Sequence, residues 1–346
     1  MKRSMVELTV KIIKGNKYLY IRERVKVNSK SLSVQTYVGR LEKVEPQDFS
    51  VKLLDLFSSR LTKYLDYRLE HYTLTVLDRN KATNLESLRY FYDLFEDLYP
   101  DESERYQDAM YVRYVQGTTA IEGNTITFRE AQELLEHNIS PAGKRMDEVY
   151  EVLNYITLRK HLSGYTGDIT EAFIKKIHKI LMNHILRDPG NYRNIQVGIA
   201  SVDYQPPPAI LVPDEMQNLI RWYRQNRKTL NPFELAILLH TKFEIIHPFV
   251  DGNGRVGRAL MNFILERSGY PTLYLGREHR AAYLDALVRA DDGEFAPIVK
   301  TLYEFYQIQH GQIAQEVQQK LKDGGSKFRD DIADLLRQYI ELKKNG

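Results

Sequence analysis

The chain has 346 residues, which at about 150 residues per domain suggests two domains, or one large domain with attachments. Hydrophobic residues make up 43% and charged residues 27%, ordinary globular usage that excludes wholesale disorder. The absence of cysteine excludes a disulfide scaffold, thiolate metal sites and a cysteine nucleophile.

No apolar run reaches the ~18 residues of a membrane span. The basic start, Met1 to Ser4, runs into Glu7, Lys11 and Lys14 rather than into the apolar core of a signal peptide. A soluble, cytoplasmic protein with no membrane partner is expected. The net charge of +3 conceals an asymmetry. Residues 1–45 hold 11 lysines and arginines against 4 acidic residues, a net of +7 that leaves the remainder at −4. That excludes a bulk polyanion binder but leaves room for a small basic module at the N-terminus.

Residues 1–46 read as a small β-hairpin or sheet. Tyr18 to Val27 is rich in β-branched and aromatic residues, Asn28-Ser29-Lys30 signals a turn, and Leu32 to Val38 returns before Gly39. From about residue 48 the pattern turns helical, with Phe49, Leu53, Leu54, Phe57, Leu61 and Tyr64 at three-to-four spacing. Roughly ten helices are expected between 48 and 346. Thr127 to Glu130 predicts a capping box, and Asp168 to Glu171 another with Asp168 as cap. Asn231-Pro232-Phe233-Glu234 combines an Asn cap, Pro at the first helical position and Glu at the third.

An extended, proline-rich stretch from Asn191 to Pro208 interrupts the helices, and a loop of that length in a compact domain is usually functional. Gly324-Gly325-Ser326 precedes a final amphipathic helix carrying Phe328, Ile332, Leu335, Leu336 and Tyr339. No fixed-period repeat is present.

The most informative segment runs from His247 through Pro248, Phe249, Asp251, Gly252, Asn253, Gly254 and Arg255 to Arg258. Gly252 and Gly254 let the backbone turn tightly and approach a ligand. The helix that follows offers its positive end to an anion. Arg255 and Arg258 in its first turns oppose the macrodipole, a cost of ~0.3–1 kcal/mol each when exposed, which bound phosphates would remove. Asp251 is a lone hard ligand beside that loop, suited to Mg²⁺ shared with phosphates. His247 stands where an imidazole can take a proton from an incoming hydroxyl. Gly-Asn-Gly alone reads as a surface turn; the joint spacing is specific.

This segment resembles, at every defining position, the signature of the Fic (Fido-fold) family. The likeness covers roughly residues 105–300. It implies a mainly all-α fold: a helical core with a β-hairpin flap, here behind the small N-terminal β-rich module. Residues 47–104 would then be a helical connector and 301–346 C-terminal helices. The resemblance implies a protein adenylyltransferase that moves AMP from ATP, with Mg²⁺, onto a Ser, Thr or Tyr hydroxyl of a target protein and of itself. His247 then resembles the general base and Asp251 the metal ligand. Gly252, Asn253 and Gly254 resemble the anion cradle, Arg255 the phosphate contact and Arg258 the arginine on the γ-phosphate.

Thr118 to Asn124 resembles the family's inhibitory motif, placed upstream of the core as in the class with an N-terminal inhibitory helix. Glu122 would pair with Arg258 and withdraw it from ATP, with Thr118 at the start of the motif; the plainer reading is a helix end closed by Gly123. Asn194, Ile195, Gln196, Val197 and Gly198 resemble the flap strand that docks the target by strand addition. His279 to Leu287 resembles the nucleobase-side segment, with Tyr283 as a nucleotide contact. His279 and Leu284 depart there from the usual Asn and Tyr.

Other readings compete. His240, Glu244 and His247 share one helix face at a spacing that can bind a metal, but no HExxH is present, and His240 reads as a packed helix residue. The same fold could remove AMP, with Glu122 activating water, or transfer another nucleotide or phosphocholine. A reading of another class is a nucleic-acid-binding regulator using the basic N-terminal module. The C-terminal helices offer a surface for a homodimer.

Overall fold

The fold comes from a computed structural model that describes residues 6–27, 30–198, 205–322 and 326–344. The expected turn at Asn28-Ser29, the middle of the extended stretch at 199–204, and Gly324-Gly325 lie outside the described residues. The architecture is mainly helical with one small antiparallel sheet, as expected. The chain divides into two compact units: residues 1–71, 79–104 and 310–346, and residues 72–78 and 105–309. Most of the segments read from sequence as module, connector and C-terminal helices fall in the first unit, while residues 72–78 of the connector and 301–309 of the C-terminal segment belong to the second.

That unit holds the strands β1 (Glu7–Ile13), β2 (Asn16–Val27) and β3 (Lys30–Arg40), paired antiparallel in the order β1-β2-β3. The first strand was not expected. Its hairpin turns on Lys14 and Gly15, both at positive φ, as a tight two-residue turn requires. Lys-Gly is a weaker turn signal than Asn-Gly, so the sequence conceals it. The inner face, with Leu19, Ile21, Val34 and Val38 buried, packs against α1 (Asp48–His71). Phe49, Leu53, Phe57 and Tyr64 are buried there as expected, but Leu56 and Arg60 complete the stripe rather than Leu54 and Leu61. Arg60 is buried because it pairs with Glu23 of β2 at 3.0 Å and donates to the Tyr90 hydroxyl. Tyr90 belongs to α2 (Arg79–Leu98).

Pro100 opens α3 (Pro100–Ala120) and separates it from α2. Gly311 likewise separates α11 (Ala296–His310) from α12 (Gln312–Lys322). Such breaks raise the roughly ten expected helices to thirteen among the described residues. The last, α13 (Ser326–Lys344), buries Phe328, Leu335 and Tyr339.

In the second unit α4 (Phe128–His137) starts on the expected capping box, Thr127 Oγ1 accepting from Glu130 N while Glu130 accepts from Thr127 N. It is followed by α5 (Met146–Ser163) and α6 (Glu171–Leu181). Thr170, not Asp168, caps α6; Asp168 is turned to Arg227 at 3.2 Å. After α7 (Val212–Asn226) comes α8 (Pro232–Ile246), with Asn231 as its cap and Pro232 at its start. Glu234 does not close a capping box. Its buried carboxylate accepts from the amides of Thr75, Val76 and Leu77 and so fixes residues 72–78 in this unit. The hydrophobic α8 and α9 (Asn253–Arg267) pack as a helical hairpin at the centre, and α10 (Arg280–Asp291) flanks α8.

Candidate active site

The site is built where α8 turns into α9. The left-handed backbone of His247 (φ 48°) ends α8, and Pro248 cannot continue it. A non-glycine residue held in this region stores strain, here at the very side chain expected to act. The buried Asn253 side chain then ties the loop: its Oδ1 accepts from Phe249 N and its Nδ2 donates to Phe249 O, both at 2.9 Å. Asn253 therefore offers a ligand its backbone N–H, not its amide. Gly252 (φ 81°) precedes α9, and no side chain caps that end, so its amides remain available to an anion. A Cβ at Gly254 would stand 2.4 Å from Glu122 Oε1 and 2.7 Å from Arg258 Nη1, so any side chain there would have to displace that pair.

Arg258 is 2% exposed. Its Nε donates to Thr118 Oγ1 at 2.7 Å, and its Nη2 donates to Thr118 O at 3.0 Å and to Glu122 Oε1 at 2.7 Å. Burial works against the Glu122 carboxylate, but the Arg258 guanidinium outweighs it and holds the pKa below the usual value. Glu122 ends the turn that follows α3, a position where the helix dipole disfavours an anion. Two further arginines secure that turn, Arg280 donating to Ile121 O at 3.2 Å and Arg277 to Asn124 O at 2.7 Å.

Arg255 faces the other way. Its Nη1 donates to Glu151 Oε1 at 2.6 Å and its Nη2 to Asp251 Oδ1 at 3.2 Å. Glu151 also accepts from Asn124 at 2.7 Å. The Asp251 carboxylate is 55% exposed and receives Gly252 N at 2.6 Å. His178 of α6 fixes the Asp251 backbone: its Nδ1 accepts from Gly190 N, so its Nε2 donates to Asp251 O at 3.0 Å. Among the described residues no three metal-binding side chains cluster. A lone exposed carboxylate fits Mg²⁺ completed by phosphate oxygens, and does not fit an all-protein cage.

Burial lowers the His247 pKa, so the imidazole is held neutral. Arg193 holds that turn in place. Its Nε donates to His247 O at 2.8 Å, its amide to Pro248 O at 2.9 Å, and its guanidinium also reaches Ile195 O and Pro207 O. Arg193 thus joins both arms of the extended stretch to the His247 turn, and Gln196 bonds Pro206 O at 3.0 Å across it. The strand expected over Asn194, Ile195, Gln196, Val197 and Gly198 does not form. That arm is irregular among the described residues, because Pro206, Pro207 and Pro208 opposite it lack N–H groups for a ladder.

A cavity of about 140 Å³ is lined by Glu122, His247, Gly254, Arg258 and Tyr283, and also by Glu244. Tyr283 is buried and bonds His240 Nε2 at 2.8 Å. His240 is thereby a packed residue, pushed down to about 3 by burial. His279 lies outside the lining, its Nδ1 accepting from Gly276 N. Of the expected residues, Glu122, His247, Gly254, Arg258 and Tyr283 line this cavity, and the buried Thr118 stands behind it, bonded to Arg258. Asp251 and Arg255 form a neighbouring network, and 194–198 does not line it. Asn124, Arg193 and Glu244 lay within segments singled out in the sequence (the 118–124 motif, the extended stretch and the His240–Glu244–His247 face) without being assigned these contacts, and Glu151 and His178 carried no signal.

Residues 168–265 match the Fic/DOC family. That stretch is similar to a Fic domain. Protein adenylyltransferase Fic of Drosophila melanogaster, like that of Drosophila sechellia, is 32% identical over 233 residues, covering 65% of this chain and 46% of the relative. The chain thus spans about half the length of these curated relatives. Fic-1 from C. elegans superposes with a TM-score of 0.61 at 26% identity, covering 70% of this chain and 74% of that one. A Fic domain containing signaling protein from Bacteroides thetaiotaomicron gives the same TM-score at 24% identity, covering 68% of this chain and 97% of that one, a likeness of fold.

Proposed function

We propose that the protein is a protein adenylyltransferase, transferring AMP from ATP to a Ser, Thr or Tyr hydroxyl of a target protein and of itself, held in check by Glu122. One observation carries this reading: a neutral imidazole, the uncapped start of α9 and a buried guanidinium occupied by one partly exposed carboxylate meet at one cavity. The similarity to proteins named adenylyltransferases supports it.

In this reading the triphosphate lies against the α9 amides, and Arg258 takes its terminal phosphate once Glu122 leaves. The target hydroxyl attacks the α-phosphorus while His247 takes its proton, and the bond to pyrophosphate breaks. Asp251 would hold Mg²⁺, which supplies charge neutralisation for the phosphates. Asn253, Arg193 and His178 contribute by fixing the loop, since positioning dominates phosphoryl-type transfer. Arg255 acts by orienting Asp251 rather than by reaching phosphate itself.

A second reading rests on Glu122 being ionised at the same cavity as His247: the carboxylate could activate water and remove AMP. Mass spectrometry of the protein after incubation with ATP and Mg²⁺ decides between them. An added AMP supports transfer. No addition by Glu122→Gly, together with loss of AMP from a modified protein by wild type, replaces it with removal.

A further inference from the structure

The outer face of the N-terminal sheet has no part in the chemistry above, yet it carries an ordered pattern. Along β2, Leu19, Ile21 and Glu23 point inward and are buried, so alternation places Tyr18, Tyr20, Arg22 and Arg24 on the opposite face. Cross-strand partners share a face. Tyr20 is opposite Tyr37, Tyr18 is opposite Lys11 and Arg40, and Arg22 is opposite Gln35.

The rings form a cluster. Tyr37 lies 5.4 Å from Tyr20 and 6.2 Å from Tyr18, centroid to centroid, and is 47% exposed. The Lys11 ammonium stands 4.4 Å from the Tyr20 ring centre. Lys11, Arg22, Arg24 and Arg40 thus share this face with the three tyrosines, and Glu7 is the one acidic residue that the register places on it among the described residues. The surrounding segment, residues 1–45, carries the net +7 against −4 elsewhere.

Charge alone would suit any polyanion. The aromatic cluster narrows the choice. The exposed Tyr37 ring, with the half-buried Tyr18 and Tyr20 rings beside it, offers a stacking platform to unpaired bases, while flanking lysines and arginines meet the phosphates. A duplex hides its base faces, and an acidic peptide lacks the regular succession of planar bases and phosphates that single strands offer to rings flanked by cations.

We propose that this face binds single-stranded nucleic acid, with bases stacked on Tyr20 and Tyr37 and the backbone tracked by Lys11, Arg22, Arg24 and Arg40. Four phosphate contacts at about 0.7 each give a slope of log affinity against log salt of about −2 to −3.

The test is fluorescence anisotropy of the full chain with labelled 15-mers of rU and dT, and with a duplex of equal length. Both single strands, or one of them, should bind more tightly than the duplex; whichever is preferred identifies RNA or DNA as the ligand. Tyr37→Ala should weaken binding roughly 5- to 100-fold, the range of lost base stacking, while Tyr37→Phe retains it. Lys11→Ala should flatten the salt slope by about 0.7. Melting temperatures of the variants establish that each is folded. Duplex binding as tight as single strand, or Tyr37→Ala binding like wild type, overturns the proposal. So does binding to anionic phosphatidylserine vesicles or polyglutamate with none to the oligonucleotides.

Discussion

Arg258 and Thr118 are joined twice, from Nε to the hydroxyl at 2.7 Å and from Nη2 to the carbonyl at 3.0 Å, whereas Glu122 touches the same guanidinium once. The arginine is thus fixed from the α3 side whether or not the carboxylate is present. Displacing Glu122 exchanges one anion for another without moving the cation. Thr118→Val keeps the shape but leaves a buried donor without its hydroxyl partner, a loss of ~1–3 kcal/mol. We expect lowered melting temperature and lowered transfer activity even where Glu122 has been removed. Full activity in Glu122→Gly, Thr118→Val would show that Thr118 does not position Arg258.

His247→Ala should reduce transfer by ~10²–10⁴-fold, the usual contribution of a placed general base, with nucleotide binding retained. The pH profile carries a second check. Burial lowers the imidazole pKa, so the neutral, proton-accepting form persists below the ordinary value of 6.5. Activity should hold as pH falls through 6.5 and decline only lower. A rate that halves at or above pH 6.5 would place the titrating base elsewhere.

Asp251→Ala should lower activity in a way that excess Mg²⁺ partly restores, because the remaining metal ligands are phosphate oxygens. EDTA should silence the wild type. Transfer indifferent to EDTA would remove the metal from the reading.

Glu244 and His240 give the protein a pH-dependent stability whose sign can be worked out. Burial pushes Glu244 up to about 8 from 4.5, so the folded chain holds a proton that the unfolded chain releases; this stabilisation is present at low pH and is lost as pH rises through 8. Burial pushes His240 down to about 3 from 6.5, so its contribution is present above 6.5 and is lost on acidification. Between 6.5 and 8 Glu244 acts without opposition from His240. Melting temperature should therefore fall over that interval in the wild type and stay flatter in Glu244→Gln. Equal slopes would mean that Glu244 does not titrate there.

The sequence disclosed the parts of the site that sit close together in the chain. His247, Asp251, Gly252, Gly254 and Arg258 are legible because tight loop geometry and a helix start demand those residue types at fixed spacing. Thr118 and Glu122 are legible only by resemblance. Arg193, His178 and Glu151 act through bonds to backbone atoms or to partners some 50 to 100 positions away, and no local pattern marks such a bond. The fold followed the same division. Amphipathic helices such as α1 and capping boxes such as Thr127–Glu130 are local facts. Assignment of residues 72–78 to the second unit depends on Glu234, which looks in sequence like one more cap residue. The missing strand over 194–198 reflects Pro206 to Pro208, whose lack of N–H groups deprives the opposite arm of a hydrogen-bonding partner, a pairing effect that the proline-rich composition alone does not disclose.

The regulatory prediction follows from the shape of the Glu122 contact. Arg258 is buried while Glu122 is 37% exposed, so the carboxylate is the half of the pair that can leave. Its helix turn is held by Arg277 and Arg280 through backbone carbonyls, which keep the turn in place when the side chain is removed. Glu122→Gly should therefore open the space above Gly254 without unfolding the motif, leaving Thr118 to hold Arg258 for a terminal phosphate. A bias of ~1.4 kcal/mol toward the Glu-bound state corresponds to a tenfold smaller productive population, so self-adenylylation should rise by about tenfold or more, read as AMP incorporation from labelled ATP. Glu122→Gly, Arg258→Ala should be inactive, because relief is useless without the cation that the carboxylate was blocking. Glu122→Gln separates charge from bulk: it keeps the volume, loses the ion pair and should fall between wild type and Glu122→Gly. A Glu122→Gly rate no higher than wild type, with nucleotide binding intact, would show that Glu122 is not an inhibitor.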